Sequence, residues 1–222
     1  MGTVPTHELI DRLAADAAPV RRLRPPALRA CLWLAGYLAV VGGLIWASNA
    51  IPAMMETLQE PRFALEIAAI LLTGVGAIFA AFFLSLPDRS RLWGVLPIFP
   101  LGLWLLLSGY GCYAHWLEYG PSGWSLGQSW NCFGFIVGLG IPTGLALHAV
   151  LRRANPLDPI PVLVTGGLGA AGLTAAALQF FHPFDTTFLD LGVHIVAIVL
   201  VVAAMTLGGR AVSMPARSAP KR

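Results

Sequence analysis

The sequence predicts an all-α membrane protein with six transmembrane helices, a short amphipathic N-terminal helix and both termini in the cytoplasm. Of its 222 residues, 57% are hydrophobic and only 11% are charged, whereas charged residues make up about a quarter of a typical soluble domain. Six apolar runs reach roughly 20 residues, the length that crosses a bilayer core as a helix. Basic residues in alternate loops then orient the spans.

The six predicted spans follow from these apolar runs: Leu28–Ser48, Ala64–Leu86, Leu92–Cys112, Trp130–Leu151, Ile160–Phe181 and Phe188–Leu207. All Lys and Arg residues except Arg62 fall before or at the start of span one, between spans two and three, between spans four and five, or after span six. Because basic residues in short loops stay in the cytoplasm during insertion, both termini are expected there. The protein is therefore expected to be a multi-pass membrane protein. The cations are dispersed along one membrane face, so no direct binding of nucleic acid is expected.

This topology divides the chain into three parts. Residues 1–27 form a cytoplasmic head, residues 28–207 the six-helix transmembrane domain, and residues 208–222 a cytoplasmic tail whose Arg, Ser and Pro content predicts disorder. Glycines within the spans predict close helix approach, among them Gly172 in span five and the pair Gly134 and Gly138 in span four.

The head contains a predicted amphipathic helix at Thr6–Ala17. Leu9, Ile10 and Leu13 lie on one face of it, and Thr6 is expected to cap its N-terminus. Pro19 ends the helix, and a basic stretch, residues 20–26, follows. Two interpretations remain open. The helix docks in the groove of a protein partner, or it lies at the membrane surface with its arginines on anionic lipid. The mainly acidic polar face favours the protein partner.

Cys112 and Cys132 are predicted at the outer ends of spans three and four. In an oxidising periplasm a disulfide between them would stabilise the protein by about 3 kcal/mol. Alternatively the two thiols sense a signal by redox change or by binding a soft metal, or they are unrelated. Cys31, near the inner end of span one, is expected to be a buried small hydrophobic residue.

Histidines are predicted on the same outer side as these cysteines. Asp190 and His194 are spaced i, i+4, so the carboxylate is expected to orient the imidazole. Two interpretations remain open: these residues bind a transition-metal or heavy-metal ion at the periplasmic face, or the histidines lie at the membrane interface without a metal. No tight ligand spacing is present. No other cofactor is predicted. The candidate signal-sensing residues and metal ligands are Cys112, Cys132, His182 and His194.

No pattern in the chain predicts an enzyme. A nucleophile elbow, a phosphate-binding loop and an HExxH motif are all absent from the sequence,. The ionisable residues inside the spans lie near span ends, whereas a transporter is expected to place charge near the membrane midplane. These residues are Glu66, His148, Asp190 and His194.

Several segments together resemble the NrsF family, the negative regulators of sigma F. They are Leu9-Ile10-Asp11-Arg12-Leu13-Ala14, the stretch Pro19-Val20-Arg21-Arg22-Leu23-Arg24-Pro25-Pro26, Pro61-Arg62-Phe63, Ser85-Leu86-Pro87 with Arg89-Ser90, Gly109-Tyr110-Gly111-Cys112 and Ser129-Trp130-Asn131-Cys132. With six spans, the resemblance covers nearly the whole chain.

The resemblance implies an inner-membrane anti-sigma factor. Such a protein holds an extracytoplasmic-function sigma factor through its head and releases it on a periplasmic signal, heavy metal or oxidative stress in particular. A head of this length cannot form a core of its own, so its apolar residues and arginines would supply the affinity. The predicted sigma-binding residues are Leu9, Ile10, Asp11, Arg12, Leu13, Ala14, Arg21, Arg22, Leu23 and Arg24.

The chain departs from the family pattern at one place. Where a His-Cys-Pro-x-Asp element is expected, it reads Phe181-His182-Pro183-Phe184-Asp185, so a histidine replaces the cysteine. That change keeps a metal ligand and removes a disulfide partner. Two other functions compete with the anti-sigma role: a small polytopic transporter subunit, and a membrane redox protein that uses Cys112 and Cys132 with a quinone.

Overall fold

The computed structural model describes residues 5–16, 22–120, 126–181 and 187–213. Its secondary structure is helical, with no strand in these ranges. Short 3-10 turns lie at Arg91–Val95 and Arg152–Ala154. The α-helices are α1 (Thr6–Ala15), α2 (Pro26–Ala47), α3 (Ile51–Thr57), α4 (Pro61–Leu84), α5 (Ile98–Tyr119), α6 (Leu126–Leu151), α7 (Pro159–Leu178) and α8 (Phe188–Ser213).

Six of these helices are long and apolar enough to cross a membrane, which confirms the predicted all-α membrane fold with six spans. Three of them begin with a proline at the first helical position, Pro26, Pro61 and Pro159, where the missing N–H has no helical partner to lose. The short helix α3, between the first two spans, was not predicted. Helix α8 continues to Ser213, so the domain boundary predicted after residue 207 falls inside this helix.

The bundle is organised around α4 and α7, which pack along each other. Their backbones meet because both helices carry glycine at the contact. A Cβ added at Gly172 would stand 3.2 Å from the Gly74 Cα, and one added at Gly74 would stand 2.8 Å from the Leu173 nitrogen. A larger residue at either position would therefore force the helices apart. Helix α7 is buried along most of its length as a result.

Helix α8 also packs closely against α6 and α7 at positions where those helices carry glycine. A Cβ at Gly167 of α7 would stand 2.9 Å from the Val202 Cα, and one at Gly140 of α6 would stand 3.0 Å from a Val201 methyl group. By contrast, the prediction for Gly134 and Gly138 is wrong, because nothing lies within 4 Å of a Cβ at either position. Both face the outside of the bundle.

One end of the bundle collects arginines from three separate segments. Arg29 at the start of α2 donates to the Val150 carbonyl near the end of α6 at 3.1 Å. Arg91, before α5, pairs with Asp158, before α7, at 3.4 Å. Arg153 follows the end of α6. We call this the basic end, defined by Arg29, Arg91 and Arg153.

The end of α8 lies at the basic end too, because Gly209 packs against Leu163 near the start of α7. The start of α8 lies at the opposite end, where the Cys112 thiol of α5 contacts Thr187. We call this the cysteine end, defined by Cys112 and Cys132. The start of α2 and the end of α8 thus share one end of the bundle, and the thiols of α5 and α6 occupy the other.

Helix α1 has no buried residue. It begins at Thr6 as predicted and ends at Ala15, near the predicted end. The predicted cap is wrong: the residue that precedes the helix is Pro5, and no side chain caps it. Arg12 and Glu8 instead form an i, i+4 ion pair at 2.5 Å on the polar face.

Candidate functional site

The cysteine end is built on the first turn of α8. Thr187 and Asp190 form a reciprocal cap, in which the Asp190 N–H donates to the Thr187 hydroxyl oxygen at 3.2 Å and the Thr187 N–H donates to Asp190 Oδ2 at 3.0 Å. The Thr187 hydroxyl also donates to Asp190 Oδ2 at 2.8 Å. A cap of this kind satisfies N–H groups that a helix start leaves without partners. It also holds the Asp190 carboxylate inside the bundle, where the residue is buried.

Two neighbouring helices bind this cap. The Ser129 hydroxyl of α6 donates to Asp190 Oδ1, and the Cys112 thiol of α5 donates to the Thr187 carbonyl at 3.3 Å. All four side chains are buried. The start of α8 is therefore tied to α5 through a thiol and to α6 through a hydroxyl.

Cys132 belongs to the same buried region. It lies three residues after Ser129 on α6, which places the two on one helix face, and it is 3% exposed. The Asp190 carboxylate lies close enough to act on this thiol electrostatically. Both Cys112 and Cys132 are thiols in the structure, without a disulfide between them. Cys31 is exposed on the outer surface of α2, so the prediction that it is buried is wrong.

His194 lies one turn beyond Asp190, and the sequence led us to expect that the Asp190 carboxylate orients its ring. The structure corrects this expectation: His194 Nδ1 contacts the Asp190 backbone oxygen at 2.6 Å. The carboxylate is instead held by Thr187 and Ser129. In a helix, the side chain at position i+4 lies near both the side chain and the backbone carbonyl of residue i. The spacing of Asp190 and His194 therefore did not show whether the carboxylate or the backbone oxygen of Asp190 contacts the ring.

A second buried polar pair lies next to this cap. The Ser108 hydroxyl of α5 donates to Glu66 Oε1 of α4 at 2.5 Å, and both residues are buried. Ser108 lies four residues before Cys112, so the two share one face of α5. Arg62, the basic residue on the predicted outer side, packs its guanidinium against Gly111. The cysteine end is thus a continuous polar region between α4, α5, α6 and α8.

The predicted metal ligands are brought together only in part. Cys112, Cys132 and His194 all lie near the Thr187 cap, while His182 lies outside the described residues. Within the described ranges, no group of three His, Cys, Asp or Glu side chains is close enough to hold a metal ion. The ring of His115, near the end of α5, lies against that of Tyr119, with the ring centroids 4.8 Å apart and the planes tilted by 35°.

The predicted sigma-binding residues present an unpartnered apolar face. Leu9, Ile10 and Leu13 are 49%, 59% and 63% exposed. Asp11, Arg12 and Ala14 are exposed on the same helix, and so are Arg22, Leu23 and Arg24 before α2. Arg21 lies outside the described residues, as do Pro19 and residues 214–222 of the predicted tail.

Sequence reasoning missed Thr187, Ser129 and Ser108 as members of the site. The Thr187-Phe188-Leu189-Asp190 segment has the spacing of a capping box immediately before an apolar run, and that signal was readable. Ser108 and Ser129 gave no signal of their own, because single serines are common in transmembrane helices and their partners lie on other helices.

Comparison with known proteins gave one match. A family model described as "Negative regulator of sigma F" matches residues 13–213, most of the chain. No curated protein and no solved structure matches the chain significantly.

Proposed function

Since the chain belongs to the NrsF family of negative regulators of sigma F, we propose that it is a membrane anti-sigma factor that holds an extracytoplasmic-function sigma factor through its head. The observation that carries this proposal is α1, a helix whose three large apolar side chains are all at least 49% exposed. An exposed amphipathic helix is suited to a groove on a partner, where the same side chains become buried. Arg22 and Arg24 follow it and would face acidic groups of the sigma factor.

The arrangement of the two ends supports a topology for this function. The basic end gathers Arg29, Arg91 and Arg153, and positive charge in short loops is retained in the cytoplasm. In our proposal the basic end therefore faces the cytoplasm of a bacterium, where a sigma factor is found, and the cysteine end faces the periplasm. The head, which leads into α2, then lies on the sigma factor's side of the inner membrane.

The signal in this proposal acts on the Cys112 thiol. A soft metal ion binds cysteine as the thiolate, so binding removes the thiol proton. Oxidation of the thiol to a disulfide, in which an external oxidant takes two electrons and the thiol protons leave, removes it as well. In either case the Thr187 carbonyl loses its donor, and the link between α5 and the start of α8 is broken. Heavy metal and oxidative stress would then have the same structural consequence.

Helix α8 offers a route from this event to the basic end. It begins at Phe188, directly after Thr187, and Gly209 near its other end packs against Leu163 at the basic end. Close contacts such as Gly167 with Val202 couple its position to α7. The change passed along α8 need only be small, because a coupling free energy of about 1–3 kcal/mol changes an affinity roughly 5- to 150-fold.

Co-purification tests the proposal. The full-length protein in detergent is expected to capture the sigma factor encoded beside it, and a version that lacks residues 1–26 is expected to lose it. Equal recovery with both versions would contradict a role for the head. Recovery with neither would favour the transporter or redox alternatives. A second arm adds cadmium to the preformed complex and is expected to release the sigma factor from the full-length protein.

A further inference from the structure

A cavity of about 630 Å³ opens at the basic end between the segment before α2, the first turns of α2 and the end of α6. Four arginines line it together with Leu23, Leu32, Trp33 and Val150, and none of the described lining residues is acidic. Two of the arginines, Arg22 and Arg24, come from the head. The other two, Arg29 and Arg153, belong to the transmembrane domain.

Arg29 has structural contacts that use only part of its guanidinium. It is 9% exposed, its Nη2 donates to the Val150 carbonyl, and its guanidinium lies 5.2 Å from the centre of the Phe82 ring. Its Nη1 is buried and has no hydrogen-bond partner among the described residues. A buried guanidinium nitrogen without an acceptor is costly, so this arrangement calls for an acceptor that binds beside it.

The charges in the cavity call for an anion as well. Arg29 lies close enough to Arg153 for the two like charges to repel each other. Within the described part of the chain, none of the four arginines is paired with a carboxylate. Several guanidinium groups that line one cavity suit a phosphate, which accepts several charge-assisted hydrogen bonds at once.

An apolar groove adjoins the cavity on the side of the membrane interior. It measures about 480 Å³, runs between α2 and α6, and shares Leu32 and Trp33 with the cavity. Further along it is lined by apolar residues that include Gly36, Val40 and Ala146. A cavity suited to an anion therefore lies at the basic end, and a groove suited to a hydrocarbon chain lies beside it towards the membrane interior. A phospholipid has the same arrangement, with its phosphate at the membrane surface and its acyl chains in the interior.

We propose that Arg22, Arg24, Arg29 and Arg153 bind the phosphate of an anionic phospholipid whose acyl chain lies in the groove between α2 and α6. A free phosphate would use the arginines and leave the groove empty, so the groove favours the lipid. Basic pockets between transmembrane helices are a known kind of site for anionic headgroups. Arg22 and Arg24 would also be available to acidic groups of the sigma factor in the proposed function, whereas Arg29 and Arg153 lie outside the head. The lipid site is therefore tested through Arg29 and Arg153.

Native mass spectrometry of the full-length protein in an uncharged detergent tests the site. Phosphatidylglycerol is compared with phosphatidylcholine at equal concentrations, and we expect about tenfold tighter binding of one phosphatidylglycerol molecule. Arg29→Gln should weaken that binding about tenfold, because it removes a buried charge-assisted hydrogen bond. Arg153→Gln, at an exposed position, should weaken it about threefold. Arg89→Gln is the matched control, since Arg89 lies outside the cavity and pairs with Asp88.

The groove is tested separately from the charges. Gly36 lines it and has nothing within 4 Å of an added Cβ, so Gly36→Leu should fill it and weaken the binding of both lipids. Gly43, equally open and on the same helix, provides the control Gly43→Leu. Millimolar inorganic phosphate should not displace the lipid.

Equal affinity of the wild type for the two lipids would overturn the proposal, as would unchanged phosphatidylglycerol binding in both arginine variants. Displacement by phosphate, together with no effect of Gly36→Leu, would replace the lipid with a free anion. If Arg29→Gln fails to fold because its link to Val150 is lost, Arg153→Gln decides the question, since no hydrogen bond of the described structure depends on it.

Discussion

The exposed apolar face of α1 allows the sigma-binding prediction to be stated quantitatively. Leu9 and Leu13 are 49% and 63% exposed. Full burial of a leucine side chain contributes about 2 kcal/mol, so burying the surface that each still exposes contributes about 1 kcal/mol. Loss of both contributions should raise the Kd for the sigma factor about 30-fold or more.

The double variant Leu9→Asp, Leu13→Asp should raise the Kd by more than this estimate of about 30-fold. Aspartate removes the apolar surface and also brings two carboxylates into a groove that would have to desolvate them. We therefore expect the Kd to rise at least about 100-fold. Biolayer interferometry between the purified sigma factor and the full-length protein in detergent measures it. In cells the same variant should free the sigma factor and switch on its target genes without any signal.

The control for this experiment is Ala15→Asp, which adds a charge to the polar face of the same helix. This control also introduces an aspartate, whose helix propensity is lower than that of alanine. A difference between the control and the double variant therefore comes from the apolar face and not from a loss of helix. Its Kd should stay within about twofold of the wild type. An unchanged Kd in the double variant, or equal losses in the double variant and the control, would refute the docking of α1 through its apolar face.

Three further predictions concern the transmembrane domain. Cys112→Ala removes the donor to the Thr187 carbonyl and should partly switch on target transcription without a signal. Cys112→Ser keeps a donor, so transcription should stay repressed, but the response to cadmium should be lost. Cys132→Ser should alter the response to cadmium and oxidant without changing the topology. Gly74→Ala should lower the free energy of unfolding by about 1–3 kcal/mol, because the added methyl group meets the backbone of α7, as judged by thermal unfolding in detergent.

Each of these predictions has a control or a contradicting outcome. A wild-type cadmium response in both serine variants would remove the thiols from the sensing mechanism, and full repression in Cys112→Ala would separate its hydrogen bond from release. Transcription is read from a reporter gene under the sigma factor's promoter. For the glycine, Gly134→Ala should leave the melting temperature unchanged, since open space surrounds that position. Equal destabilisation by both glycine variants would mean that helix contact is not the cause.

The amino-acid sequence alone determined the architecture of this protein. The length of the apolar runs gives the six spans, and the period of the apolar residues gives the amphipathic helix of the head. Both signals depend only on whether each side chain of a segment faces lipid, protein or water, so they can be read without the tertiary structure. For the same reason the head residues Leu9, Ile10 and Leu13 were identified correctly as one apolar face. The resemblance to the family likewise rested on short segments that are readable without a fold.

Only the tertiary structure decided which of the polar and small residues act together. Gly134 and Gly172 look equivalent in sequence, yet only Gly172 lies at a helix contact. Asp190 was assigned to His194 by spacing, but its carboxylate binds Thr187 and Ser129. The cavity around Arg29 was not predicted at all. These features depend on how each helix is rotated and which helices, distant in sequence, pack against it. The spacing of residues along the sequence shows which of them share a helix face, but not which neighbouring helix covers that face.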